Sequence, residues 1–127
     1  PGDADQILTI GAISDNDTQR IAAFSSIGPT QDGRVKPDVV AIGAPARVIS
    51  GRGMITSSMG TSFSSPVVCG LVACLWQSMP QKSALDIINL VRKTSDNYQT
   101  PDNIYGYGTP DFWRAYMIGQ LELRNEE

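Results

Sequence analysis

One serine of this chain lies between a glycine turn and a long apolar segment. The run is Gly60-Thr61-Ser62-Phe63-Ser64-Ser65-Pro66. It predicts a helix whose first turn starts at or just after Ser62, and such a helix directs unpaired N–H groups and the positive end of its dipole towards anything bound beside the hydroxyl. Gly60 permits a sharp turn, and Pro66 is tolerated where a first-turn N–H would have no partner. Ser62 is therefore the candidate nucleophile, in a setting that suits an oxyanion.

A serine hydroxyl is a weak nucleophile and needs a base, usually a histidine held by a carboxylate. The chain contains no histidine. A lysine base would let the chain act alone, and its lysines are Lys36, Lys82 and Lys93. Lys82 and Lys93 flank or lie on a predicted surface helix, and nothing in the sequence indicates the desolvated pocket that a lysine base requires. The simplest structural alternative for Ser62 itself is an N-cap.

Three helices are predicted. Residues 64–79 are apolar nearly all round, which is typical of a central helix. The uninterrupted apolar run within it, Val67 to Leu75, is well short of the roughly 18 residues that cross a bilayer. Ser83 as N-cap with Asp86 three residues later begins a second, amphipathic helix. Pro110 starts a short third helix, in which Phe112, Trp113 and Tyr116 are interpreted as packing aromatics.

Extended segments and loops fill the rest of the chain. Residues 7–13 predict a buried strand, and residues 39–42 and 47–50 are shorter extended candidates. Residues 14–37 and 51–58 are rich in loop-forming types, and Phe24 in the first of these loops is a candidate anchor into the core. The pattern predicts the α/β class.

Composition restricts the function classes. A chain of 127 residues with 41% hydrophobic content is one globular domain or part of one. Its net charge of -3 provides no basic surface for nucleic acid. Cys69 and Cys74, five positions apart on one helix, point to different sides and cannot bridge each other, so both are predicted to be buried thiols.

The serine run resembles the active-site motif of the subtilisin-like serine peptidases. Two upstream segments, Ala23 to Pro29 (AFSSIGP) and Lys36 to Gly43 (KPDVVAIG), resemble family segments in the same order. Downstream, Gly106-Tyr107-Gly108 resembles the Gly-x-Gly segment that precedes the last helix of the family. Phe63 replaces the methionine that often follows the nucleophile, and Cys69 stands where alanine is usual.

The resemblance implies that residues 1–127 are the C-terminal part of a peptidase domain with a parallel sheet and a buried central helix that starts near Ser62. It implies an endopeptidase that forms a Ser62 acyl-enzyme, with Gly60 and Thr61 shaping the oxyanion-hole turn and Met59 and Phe63 beside the substrate cleft. The aspartate, the histidine and the oxyanion-hole asparagine of the family lie upstream of the matched segments. Asp38 matches none of them and is interpreted as a turn residue.

The implied partners are a protein or peptide substrate and the upstream part of the same domain, with no nucleic acid and no membrane. No cofactor is expected in residues 1–127, whereas the resemblance allows calcium sites in a longer protein. The resemblance also favours a secreted or cell-envelope location for that longer protein. Without the upstream part we expect no activity and self-association of the chain. The alternatives are a non-catalytic interaction module and a pseudoenzyme that keeps the fold.

Overall fold

The computed structural model describes residues 2–14 and 18–126. In chain order the elements are β1 (Ile10–Ser14), β2 (Val39–Ala44), β3 (Ala46–Ile49), β4 (Ile55–Ser58), α1 (Thr61–Gln77), α2 (Ala84–Lys93) and α3 (Phe112–Glu126). Strands and helices share one hydrophobic core, whose buried members are Val39, Val68, Leu75, Met79, Ile87, Leu90, Val91 and Ala115. The α/β class predicted from the sequence is confirmed.

The central pair of strands, β1 and β2, is parallel. Ile10 lies opposite Val39, and the register runs regularly to Ile13 opposite Ile42 before it shifts at Ser14. Helix α1 packs against both strands. A parallel pair buries its side chains under a helix on at least one face, and this arrangement fixes the start of α1 relative to the end of β2.

A hairpin connects β2 to α1. Strands β3 and β4 are antiparallel, with Ala46 opposite Ser58 and Ile49 opposite Ile55. The turn is closed by the Gly53 N–H, which donates to the Ser50 carbonyl over 2.8 Å. The prediction of a loop over 51–58 was therefore wrong for residues 55–58, which form β4. This strand is held by backbone pairing with β3, and its mostly exposed side chains give no pattern that predicts a strand.

Helix α2 begins as predicted. The Ser83 hydroxyl accepts from the Asp86 N–H, and the Asp86 carboxylate accepts from the Ser83 N–H, which completes a capping box. Hydrogen bonds from the Ser83 side chain and backbone lower the pKa of Asp86. Arg92 and Lys93 occupy the last turn, where cations suit the helix dipole.

The third helix is longer than predicted. It has 15 residues, and Gly119 lets it approach the Met79 side chain closely, because a Cβ there would lie 2.6 Å from the Met79 Cε and 3.0 Å from the Leu90 Cδ2. Phe112 and Tyr116 pack against the core as predicted, whereas Trp113 is 71% exposed and stacks on Tyr116.

Four other predictions need correction. The first strand starts at Ile10 rather than at residue 7, because the Thr9 carbonyl accepts from the Asp38 and Val39 N–H groups and Ile7 is exposed. Phe24 is exposed and does not anchor its loop. Both thiols, Cys69 and Cys74, are free as expected but exposed rather than buried. Helix α1 buries only Ser64, Val68 and Leu75, because the remaining elements of the chain cover one of its faces.

A buried ion cluster holds the start of β2. The Asp38 carboxylate is 1% exposed and lies 2.7 Å from the Lys36 Nζ, and its other oxygen accepts from the Arg92 guanidinium of α2. The Thr9 N–H donates to the same carboxylate over 2.6 Å. Asp38 thus has a structural role, but its interpretation as a turn residue was wrong, because its carboxylate binds the Thr9 N–H and Arg92 from distant parts of the chain.

We expect Asp38→Asn to destabilise the chain strongly, because it leaves two cations facing each other without their counter-ion. Removing one partner from a buried ion pair costs about 3 to 5 kcal/mol. Chemical denaturation followed by circular dichroism measures the change. The matched control is Asp32→Asn, because the Asp32 partner Arg34 lies at the surface, 2.9 Å away, and exposed pairs contribute little. Equal losses in the two variants would contradict the prediction.

Candidate active site

The turn before α1 requires glycine. Gly60 has φ 155° and ψ 153° and is the N-cap residue of α1. Only glycine adopts this region of backbone space without strain. The helix then begins at Thr61, and the Phe63 N–H donates to the Gly60 carbonyl over 3.1 Å.

Ser62 is the second residue of α1 and is exposed. Gly60 is the N-cap residue, and no side chain caps the helix. The alternative interpretation of Ser62 as an N-cap was therefore wrong. Within residues 2–14 and 18–126, the Ser62 hydroxyl has no hydrogen-bond partner. Its N–H is among the first four of the helix, which have no intrahelical acceptor. An exposed hydroxyl and a free backbone donor therefore lie at the positive end of one helix dipole.

Pro66 lies deeper in the helix than predicted. It is the sixth residue of α1, counted from Thr61, so its missing N–H removes an intrahelical donor rather than an unpaired one. The carbonyl that loses this donor is that of Ser62, four residues earlier. The first turn of α1 is thus less tied to the second than in a regular helix.

The end of β2 fixes the position of this turn. The Gly60 N–H donates to the Gly43 carbonyl over 2.9 Å. Gly43 has no room for a side chain, because a Cβ there would lie 2.5 Å from the Ser64 Oγ and 2.8 Å from the Ala12 Cβ. The start of α1 therefore rests directly on the two central strands, and the sequence motifs did not reveal this contact.

Ser64 lies beneath the candidate nucleophile, between α1 and the sheet. Its side chain is fully buried, and its Oγ has no hydrogen-bond partner among the described residues. A buried hydroxyl without a partner loses its hydration and gains nothing in return. This is a local cost at the position where α1 meets β2.

The other predicted site residues surround the turn. Phe63 is half-buried, and its ring faces the open side of Gly60. Met59 is exposed. Thr61 borders a cavity of about 290 Å³ that it shares with Thr9, Lys36 and Pro37. The five predicted residues are thus contiguous around one helix start.

The lysines are engaged elsewhere. Lys36 donates to Asp38 inside the buried ion cluster, and Lys82 and Lys93 both contact Glu122. The arrangement gives no support to a lysine base for Ser62.

The acidic side chains form no metal site in the part of the chain that the structure describes. No group of three or more His, Cys, Asp or Glu side chains converges there. Among the described residues the one deeply buried carboxylate, that of Asp38, is already bound by two cationic side chains and a backbone N–H. It therefore does not offer the free oxygens that calcium needs.

These features occur in a chain that belongs to the subtilase family. The family model Peptidase_S8, described as "Subtilase family", matches residues 1–108. The match includes both strand pairs, α1 with Ser62, and α2, and it ends before α3. The resemblance noted in the sequence is thereby confirmed, and the terms hydrolase and serine protease apply at the level of the family.

Two curated relatives indicate the same family. The chain is 33% identical to "Serine protease AprX" of Bacillus subtilis over 85% of its own length and 29% of the relative. It is 30% identical to the human "Membrane-bound transcription factor site-1 protease" over 93% of its own length and 12% of the relative. The chain therefore spans less than a third of the length of either relative.

Solved structures share the fold. Fervidolysin from Fervidobacterium pennivorans, "a keratinolytic enzyme related to subtilisin", aligns with a TM-score of 0.76 and 24% identity, over 92% of this chain and 20% of that one. The self-cleaved protease domain of PatA aligns with a TM-score of 0.75 and 19% identity, over 94% and 44%. Among the described residues, no helix has the length and apolar character needed to cross a membrane.

We expect Ser64→Ala to stabilise the chain by about 1 kcal/mol, because it removes a buried hydroxyl that has no partner. Alanine also raises helix propensity, and Ser65→Ala, at the exposed neighbouring position of the same helix, controls for this contribution. Urea unfolding of the two variants measures the difference. A Ser64→Ala variant no more stable than Ser65→Ala would show that the hydroxyl is satisfied in solution.

Proposed function

We propose that Ser62 is the nucleophile of a subtilisin-type serine endopeptidase and that this chain acts together with a segment that supplies the remaining catalytic groups. The observation that carries the proposal is the position of Ser62, exposed at the second residue of α1, with its cap role taken by Gly60. Membership of the subtilase family supports the reaction type.

In this mechanism the Ser62 Oγ attacks the carbonyl carbon of a peptide bond and transfers its proton to a base. The carbonyl oxygen becomes an oxyanion, and the Ser62 N–H at the start of α1 donates to it. Collapse of the tetrahedral intermediate breaks the C–N bond, and the amine leaves with the proton. Water then hydrolyses the acyl-enzyme by the same steps in reverse order.

The base has to come from outside this chain, because the chain has no histidine. We propose that an upstream part of the same domain provides the histidine, its aspartate and a side-chain donor for the oxyanion. Exposed apolar side chains of α1 support this proposal. Val67, Leu71 and Trp76 are all exposed, and each Å² of apolar surface that a partner covers contributes about 25 cal/mol.

The substrate is proposed to be a protein or peptide, bound across the turn with Phe63 and Met59 on its leaving-group side. Phe63 supports this assignment through its position against Gly60. The family resemblance favours a secreted or cell-envelope location and allows calcium bound by residues outside 1–127.

The second candidate is a non-catalytic interaction module. The same exposed side chains of α1 favour it, because apolar surface on a helix can serve a binding partner without any reaction at Ser62. The two candidates differ in the reactivity of Ser62 after these side chains have been covered.

We expect the chain alone to remain unlabelled by a fluorophosphonate probe and to become labelled at Ser62 after mixing with the polypeptide encoded immediately upstream. Losing the general base removes several orders of magnitude of reactivity, and the mixture restores it. Gel fluorescence and mass spectrometry of the labelled peptide measure the outcome. Size-exclusion chromatography with light scattering should show self-association of the chain alone and a heterodimer after mixing.

Ser62→Ala and Ser65→Ala are the matched variants for this experiment, since both serines are exposed near the start of α1. Labelling should disappear in the first and persist in the second. A heterodimer that forms without labelling would favour the interaction module or the pseudoenzyme. Labelling of the chain alone would overturn the need for an upstream partner.

The active assembly is expected to resist peroxide, because Phe63 has no thioether to oxidise beside the nucleophile. Phe63→Met should introduce progressive inactivation by hydrogen peroxide, measured as residual fluorophosphonate labelling. Met59 is 69% exposed and is oxidised in both forms, so Met59→Leu in each background separates its contribution. Equal inactivation with and without Phe63→Met would contradict the prediction.

A further inference from the structure

A polar cavity of about 310 Å³ lies between α2, the loop that follows it and α3. Its wall contains three cationic side chains, Lys82, Arg92 and Lys93, and two tyrosines. No residue of the Ser62 turn or of α1 lines it. The serine chemistry makes no use of this cavity.

Arg92 is fixed in the cavity wall. Its Nε and Nη2 atoms both donate to the Asp38 Oδ1, and its guanidinium carbon lies 5.7 Å from the centre of the Tyr107 ring. In the described part of the chain the third nitrogen, Nη1, has no hydrogen-bond partner. A guanidinium held on one edge by a buried carboxylate presents its other donors without further loss of side-chain entropy.

One carboxylate is already bound at the rim. Glu122 of α3 lies 3.0 Å from the Lys82 Nζ and 3.4 Å from the Lys93 Nζ. The hydrogen bond from Lys82, with a smaller contribution from Lys93, lowers the pKa of Glu122. The charged groups around this cavity therefore stabilise a carboxylate in its ionised form.

Neutral donors complete the wall. The Tyr98 and Tyr107 rings lie 5.8 Å apart at an angle of 31°. Neither hydroxyl has a hydrogen-bond partner among residues 2–14 and 18–126, and the Asn89 amide, which also lines the cavity, has none there either. Donors without acceptors surround a space large enough for a small ligand.

The charge around the cavity is opposite to that of the chain. Three cationic side chains face two anionic ones, Asp86 and Glu122, whereas the whole chain carries a net charge of -3. Asp86 is already used in the α2 capping box. A local positive excess in an acidic protein attracts anions to that position.

We propose that this cavity binds a small oxyanion, a carboxylate or a phosphate, between Arg92, Lys93 and the two tyrosine hydroxyls. Charge-assisted hydrogen bonds from the cations supply most of the affinity, and the tyrosines select for oxygen acceptors. Glu122 competes with the ligand for Lys93, because the Lys93 ammonium group has to turn either towards the Glu122 carboxylate or towards the bound anion. The inference does not depend on the reactivity of Ser62.

A titration of the chain with inorganic phosphate tests the proposal. The titration is monitored by ¹⁵N NMR, and sodium chloride holds the ionic strength constant. Sodium acetate in a second series distinguishes carboxylate from phosphate binding. We expect saturable shifts of the Asn89, Lys93 and Tyr98 amides and of the Arg92 Nε–H with at least one of the two anions. Lys93→Gln should weaken binding about fivefold and Tyr98→Phe about threefold, and Glu122→Gln should tighten it.

Arg124→Gln is the matched control, because it removes the same charge from exposed α3 surface outside the cavity wall. The affinity of the Arg124→Gln variant for the anion should stay within about twofold of that of the unmodified chain, since exposed charges outside the cavity are screened. Equal weakening by Arg124→Gln and Lys93→Gln would reduce the effect to overall charge and overturn the proposal. Shifts that do not saturate with either anion, or that centre on other residues, would also overturn it.

Discussion

The buried charge of Asp38 is the constraint on which the rest of the structure depends. A carboxylate that is 1% exposed is tolerated only with its counter-ions in place. Those counter-ions are Lys36 and Arg92, so the first residues of β2 and the end of α2 have to meet at one point. The Tyr107 N–H donates to the Asp38 carbonyl over 2.8 Å, which brings the loop before α3 to the same point. Gly106 has to be glycine there, because a Cβ would collide with the backbone of Pro37 and Asp38, just before β2.

Strand β2 connects this ion cluster to the candidate nucleophile. Its first residues follow Asp38 directly, and near its end the Gly43 carbonyl accepts from the Gly60 N–H. The close contact between Ser64 and Gly43 determines the distance between α1 and the sheet. The position of Ser62 therefore follows from one strand that is held near both of its ends.

The features that the sequence predicted correctly are those with local causes. Helix α2 follows from Ser83 and Asp86, three positions apart, and the start of α1 follows from the Gly60 turn to within one residue. The errors have non-local causes. Arg92 pairs with Asp38 across 54 positions, and no local pattern reports such a contact. Strand β4 forms through pairing with β3, although its side chains are mostly exposed and show no alternation.

The two sides of the molecule differ in what the chain supplies for itself. Around Asp38, α2 and α3, charged groups have their partners and the core side chains are buried by residues of this chain. On α1, Leu71 and Trp76 remain exposed although the helix is apolar nearly all round. The ion cluster therefore fixes the geometry of the Ser62 turn within the chain, whereas the chain neither covers these side chains nor supplies the base that the proposed reaction of Ser62 requires. One added segment that packs on α1 would meet both needs at once, because the helix that requires cover is the helix whose second residue is the candidate nucleophile.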